Sequence, residues 1–182
     1  MWSAEKYVAA LQFAADRHAG QKVPGTERPY LVHLTSVAQE VMRGIAIESV
    51  PDPDLAVVCA VLHDVVEDTG TTAAEVAARF GDAVAQGVAA LSKDAGLPKG
   101  EQLDDSLRRI RECPREVWIV KLADRITNLD VPPAYWTQAK RRGYQEEARR
   151  IHAALGAAHE ALGARLAERI DRYTPHIESG PA

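Results

Sequence analysis

Three short segments concentrate side chains able to hold a cation and move a proton. In Leu62-His63-Asp64-Val65-Val66-Glu67-Asp68-Thr69, four ionisable groups fall within six positions at the end of an apolar run from Leu55 to Leu62. The run should anchor a helix in the core, which brings His63 and Asp64 to the interior. Isolated charge there is costly unless a partner or a metal offsets it. With that helix continuing to about Glu67, Glu67 shares the side of His63 and Asp64, and Asp68 stands four positions after Asp64. Three carboxylates and an imidazole on one patch repel one another without a cation.

A second segment, Val120-Lys121-Leu122-Ala123-Asp124-Arg125-Ile126-Thr127-Asn128, repeats the pattern, with Asn128 on the face of Asp124. A third, Pro29-Tyr30-Leu31-Val32-His33, supplies a second imidazole. Two histidines and two carboxylates from three helices suit a divalent transition metal, manganese or iron before magnesium because of the imidazoles. Such an ion lowers the pKa of a bound water and polarises a phosphoryl oxygen. Glu67 and Asp68, one turn on, are placed to orient that water or move its protons.

Simpler readings exist for each part. His33 alone reads as a structural histidine. Asp124 alone reads as the partner of Arg125. Glu67-Asp68-Thr69 reads as a solvated helix end, although acids there oppose the helix dipole. Together these readings need three separate coincidences, and the shared site is favoured.

The elements that must position these groups read as helices throughout, because apolar residues recur at three- and four-residue steps. The pattern predicts helices near 3–19 and 31–46, and one from Asp52-Pro53 to about Glu67. Thr72 and Glu75 form a capping box for a short helix, broken at Phe80-Gly81. Others follow near 82–92, 101–112 and 114–129. Pro132-Pro133 is a break, and two long helices lie near 134–155 and 158–173. The fold class is therefore all-α, with about eight or nine helices around a buried metal site. Residues 1–182 form one domain with its motifs at 13–129, C-terminal helices over 134–173 and a frayed tail at 175–182.

Bulk properties agree. A chain of 182 residues with 46% apolar and 26% charged residues is long enough and apolar enough for one globular core. A net charge of -4 argues against a nucleic-acid partner, which usually requires a basic excess. Two cysteines without metal-site spacing suit a reducing compartment. The first residues lack a signal-peptide core, and no run approaches the roughly 20 apolar residues of a membrane helix. These features lead us to expect a cytoplasmic protein with no membrane partner, and association of copies stays open.

At the three motifs the sequence resembles the HD-domain superfamily of metal-dependent phosphohydrolases. More narrowly, it resembles the hydrolase domain of the Rel/Spo alarmone enzymes and their free-standing small relatives. The resemblance spans roughly residues 4 to 130. It is carried by Phe13-Ala14 through His18 and Gln21, Pro29-Tyr30 and His33, LHDVVEDT at 62–69, Phe80-Gly81 and VKLADRITNL at 120–129. It implies the HD-domain helical fold, metal ligands His33, His63, Asp64 and Asp124, and Glu67 and Asp68 as the residues that position and activate water. It implies manganese as the metal and a guanosine nucleotide as the partner. The implied reaction removes pyrophosphate from the 3′ position of guanosine tetra- or pentaphosphate, returning GDP or GTP. It also places Asn128 at the nucleoside sugar, and Lys99 and Lys140 near the phosphates.

One stretch departs from the family pattern. The basic loop after Gln21 reads Lys22-Val23-Pro24-Gly25-Thr26-Glu27-Arg28, so only Lys22 and Arg28 supply cations there. That loop packs on the base in the family. Another phosphorylated nucleotide, such as NADPH or a deoxynucleotide, is therefore an alternative substrate. A catalytically silent nucleotide-sensing or protein-binding module is the alternative of another class.

Overall fold

The structure is a computed structural model that describes residues 1–178. Its helices are α1 (Ala4–Arg17), α2 (Leu31–Ile47), α3 (Pro53–Leu62), α4 (Val65–Asp68), α5 (Ala73–Phe80) and α6 (Asp82–Leu91). They continue with α7 (Lys99–Arg111), α8 (Arg115–Asn128), α9 (Gln138–Leu155), α10 (Glu160–Tyr173) and α11 (Pro175–Glu178). Among the described residues nine helices have eight residues or more, and there is no strand. An isolated antiparallel bridge joins Lys22 to Pro29. Among the described residues no helix is long and apolar enough to cross a membrane.

The architecture follows from α3. Every residue from Leu55 to Leu62 is buried. A helix apolar all round must be enclosed by others, and α1, α2, α6 and α8 surround it. Its start is fixed by Asp52, whose carboxylate accepts from the Leu55 amide, with Pro53 in the first turn. Close packing on α6 depends on Gly87, where an added Cβ would stand 2.9 Å from both Cys59 Sγ and Val117 Cγ2. The Thr72–Glu75 capping box opens α5 as predicted. The long helices α9 and α10 cover α8, and α10 is tied to α2 by a two-point Arg165–Glu40 pair at 2.7 and 2.6 Å.

Three boundaries differ from expectation. The helix expected to run to about Glu67 ends at Leu62, and α4 begins only at Val65. Asp64, with φ -103° and ψ -2°, flattens the turn between them. Side-chain bonds hold that break: His63 to the Ala60 carbonyl and Asp64 to the Tyr30 hydroxyl. The helix expected from 134 starts at Gln138, because Pro133 is followed by a turn closed from the Trp136 amide and the Thr137 hydroxyl caps the Lys140 amide. The tail expected to fray from 175 begins as α11, with Ile177 buried and the His176 carbonyl accepting from Arg141. Residues 179–182 of that expected tail lie outside the described residues.

Candidate metal centre

The break at His63-Asp64 faces the first turns of α2 and the middle of α8. His33 comes from α2, Asp124 from α8, and His63 and Asp64 from the break itself. One ligand atom from each of His33, His63 and Asp64 lies within 4.8 Å of the others. The Nε2 atoms of His33 and His63 stand 3.2 Å apart. Asp64 Oδ2 is 3.0 Å from His63 Nε2 and 3.5 Å from His33 Nε2. Asp124 Oδ1 is 3.7 and 3.6 Å from the same two nitrogens.

The chemistry of these donors fits a cation. His63 Nδ1 lies 2.8 Å from the Ala60 carbonyl, which can only accept, so Nδ1 carries the hydrogen. In the neutral ring the lone pair is then on Nε2, aimed at the cluster. Two imidazole nitrogens and two carboxylate oxygens converging in this way form a donor set for a divalent metal. Burial alone would push the His63 pKa down. The Asp64 and Asp124 carboxylates, with the Ala60 carbonyl, outweigh it and lift the pKa to about 9. The cluster thus draws positive charge toward itself. Burial raises the Asp64 carboxyl, but His63 and His33 hold it well below its usual range. Burial acts likewise on Asp124, where Lys121 and the two imidazoles win and keep it low.

Neighbouring side chains orient the cluster. Lys121 Nζ reaches Asp124 Oδ2 at 3.2 Å, and Asn128 Nδ2 donates to Asp124 Oδ1 at 2.5 Å. The alternative pairing of Asp124 with Arg125 does not occur. Arg125 turns to α9, donating to the Tyr144 carbonyl and Glu147 with its guanidinium 4.1 Å from the Tyr144 ring centroid. The Tyr30 hydroxyl donates to Asp64 Oδ2 at 2.5 Å. Burial and then the Asp64 charge push its pKa far up, so it stays a donor.

Glu67 and Asp68 take separate partners rather than joining one patch. Asp68 accepts from Gln21 Nε2 at 2.9 Å, and Gln21 Oε1 in turn accepts from His18 Nδ1 at 2.6 Å. The His18 ring stacks on Tyr30 at 5.1 Å between centroids. Glu67 accepts from the amide and the ammonium of Lys93. The three lysines expected at the substrate make no bond to the cluster. Lys22 pairs with Glu27, Lys99 opens α7 exposed, and Lys140 Nζ sits 4.3 Å from the Trp136 centroid. The loop 22–28 packs on the chain after α8, where a Cβ on Gly25 would be 3.2 Å from Pro133 Cβ.

Sequence reasoning assigned no role to Tyr30, Gln21, Lys93 or Lys121. The i,i+3 spacing of Lys121 and Asp124 on a helix was a readable signal. Lys93 lies 26 residues from Glu67 and carried none.

An all-helical enclosure around a buried histidine–aspartate cluster that could hold a divalent metal marks the class of protein. The chain belongs to the HD-domain family, whose model matches residues 10–162. It is 31% identical over 161 residues to guanosine-3′,5′-bis(diphosphate) 3′-pyrophosphohydrolase MESH1 of Danio rerio, spanning 86% of this chain and 87% of that one. It is 33% identical over 159 residues to the guanosine-3′,5′-bis(diphosphate) 3′-pyrophosphohydrolase of Aquifex aeolicus, covering 84% of this chain and 21% of that longer one. Among solved structures it superposes on a metazoan ortholog of SpoT, described as hydrolysing ppGpp, with a TM-score of 0.81 and 28% identity. That match covers 94% of this chain and 97% of the other.

Proposed function

We propose that this chain is a metal-dependent phosphohydrolase that removes pyrophosphate from the 3′ position of guanosine 3′,5′-bispyrophosphate. The convergence of His33, His63, Asp64 and Asp124 at 3.0 to 3.7 Å carries the reading. The activity named for the Danio rerio and Aquifex aeolicus relatives supports the substrate. In this reading those four residues hold the ion, which we propose to be manganese, and the protein works in the cytoplasm as one domain. The ion supplies positive charge that acidifies a water and polarises a phosphoryl oxygen.

The chain's own groups do the rest. The water oxygen bonds to the phosphorus next to the ribose 3′ oxygen, and that phosphorus–oxygen bond breaks. Glu67 takes a proton from the attacking water, and Asp68, held by Gln21, orients it. The proton gained by Glu67 is balanced by one that the leaving 3′ oxygen takes from solvent. Tyr30 and Lys121 fix the carboxylates of Asp64 and Asp124. Asn128 meets the nucleoside sugar, Lys99 and Lys140 meet phosphates, and Lys22 contacts the substrate from the 22–28 loop when the substrate is present.

A second reading keeps the centre and changes the nucleotide. It is favoured by Lys22, whose ammonium is already paired with Glu27 in the loop that departs from the family pattern. A panel containing the alarmone, NADPH and deoxynucleoside triphosphates separates the two by kcat/KM. The first reading predicts the highest value for the alarmone, and a clear preference for another nucleotide overturns its substrate.

A further inference from the structure

Both carboxylate oxygens of Glu67 are occupied by one residue. The Lys93 amide donates to Oε2 at 2.7 Å, and the Lys93 ammonium reaches Oε1 at 3.2 Å. Lys93 follows Ser92 at the end of α6, which packs beside the short α4 that carries Glu67. The two contacts differ in kind. The amide is fixed by the end of α6. The ammonium ends a flexible four-carbon stem, its side chain is 45% exposed, and a half-exposed ion pair is readily exchanged.

A group that takes a proton from water needs one oxygen free. The ammonium is the only one of the two contacts that can leave without moving the backbone. It also has somewhere to go. Although partial burial lowers the Lys93 pKa, Glu67 and then Asp124 outweigh it and raise it. The field of Asp124, a member of the cluster, therefore reaches the ammonium. A pyrophosphate group held at the cluster carries several negative charges against the single charge of Glu67, and it competes for the ammonium with advantage.

We propose that Lys93 is a substrate-released latch on Glu67. In the free protein its ammonium pairs with Glu67. When a substrate carrying a pyrophosphate group binds, the ammonium moves to that group, and Glu67 stays held by the Lys93 amide with Oε1 open toward the water. Lys93 is then both a phosphate-binding residue and the residue that gates Glu67. The inference rests on the phosphohydrolase reading for its purpose, but its binding step is tested without turnover.

The test is a double-mutant cycle read by calorimetry with inorganic pyrophosphate and manganese-loaded protein. Lys93→Met should weaken pyrophosphate binding at least tenfold, and Lys93→Arg should recover most of the loss. Glu67→Gln removes the competitor for the ammonium, so it should tighten pyrophosphate binding several-fold when Lys93 is present. In the Lys93→Met background the same change should have much less effect. Equal effects of Glu67→Gln in the two backgrounds, or unchanged binding in Lys93→Met, overturn the latch. Kinetics with the alarmone supply the second arm, in which Lys93→Met should raise KM at least tenfold with a smaller fall in kcat. If the unaltered protein binds pyrophosphate but turns over no alarmone, the functional reading fails, and the cycle still decides the latch.

Discussion

The Tyr30 hydroxyl donates to the same Asp64 oxygen that faces His63 Nε2, at 2.5 Å on one side and 3.0 Å on the other. The N-terminus of α2 thereby fixes a carboxylate on the break after α3, 34 residues away in sequence. A side chain that holds a metal ligand in this way typically changes metal affinity by about 10- to 100-fold when it is removed. Tyr30→Phe keeps the ring that stacks on His18 and deletes only the donor. We expect its manganese affinity to fall in that range with little change in thermal stability of the metal-free protein. Unaltered affinity in a competitive chelator titration would show that Asp64 needs no support from Tyr30.

Asp68 is supported through Gln21, which His18 orients in turn. Gln21→Ala should lower kcat about tenfold, less than the roughly 100-fold or more expected on losing a proton-handling group itself, because Gln21 only holds Asp68 in place. KM and metal affinity should change little, because Asp68 lies outside the cluster. A loss confined to metal affinity would place Gln21 in the metal site instead.

The His63 pKa gives a signed pH effect. Its folded value of about 9 lies above the ordinary 6.5, so the charged form stabilises the fold fully below pH 6.5. That contribution disappears as pH rises through about 9. Metal-stripped protein should therefore lose roughly 5–10 °C of Tm between pH 6.5 and 9.5. A divalent ion held by His63 would compete with the proton, so the stabilisation added by manganese should grow over the same interval. Thermal melts with and without the ion check both slopes, and parallel curves would contradict the account.

Packing around α3 yields a stability prediction. At Gly87 a methyl group meets Cys59 Sγ and Val117 Cγ2 at 2.9 Å, between three helices that cannot all give way. Gly87→Ala should cost about 1–3 kcal/mol by overpacking, even though alanine is the better helix former. Denaturant unfolding measures the difference, and a stabilised variant would mean that α6 shifts freely.

Much of this was legible in the sequence for identifiable reasons. The run Leu55 to Leu62 has no polar face, so its burial and the delivery of His63 and Asp64 to the interior followed from composition. Caps at Asp52 and Thr72 gave helix starts within a residue or two. The break at His63-Asp64 was hidden, because no glycine or proline marks it and Val65 and Val66 continue the apolar pattern. It is held by tertiary bonds to Tyr30 and His33, which a local pattern does not carry. Continuing the helix placed Glu67 and Asp68 on one shared patch. The break instead sends Glu67 to Lys93 and Asp68 to Gln21. Arg125 looked like the cation for Asp124 by adjacency, but consecutive helical residues point apart, and Lys121 one turn earlier takes that place.

In the proposed function the four-residue cluster holds the ion on which hydrolysis depends. The most direct measurement follows pyrophosphate release from guanosine 3′,5′-bispyrophosphate as manganese is titrated into chelator-stripped protein, with Asp64→Ala alongside. The account predicts no turnover without the ion, turnover that rises to saturation with it and yields GDP, and none at any manganese level in Asp64→Ala despite an unchanged helical circular dichroism signal. Turnover that persists in the stripped protein or in Asp64→Ala contradicts it.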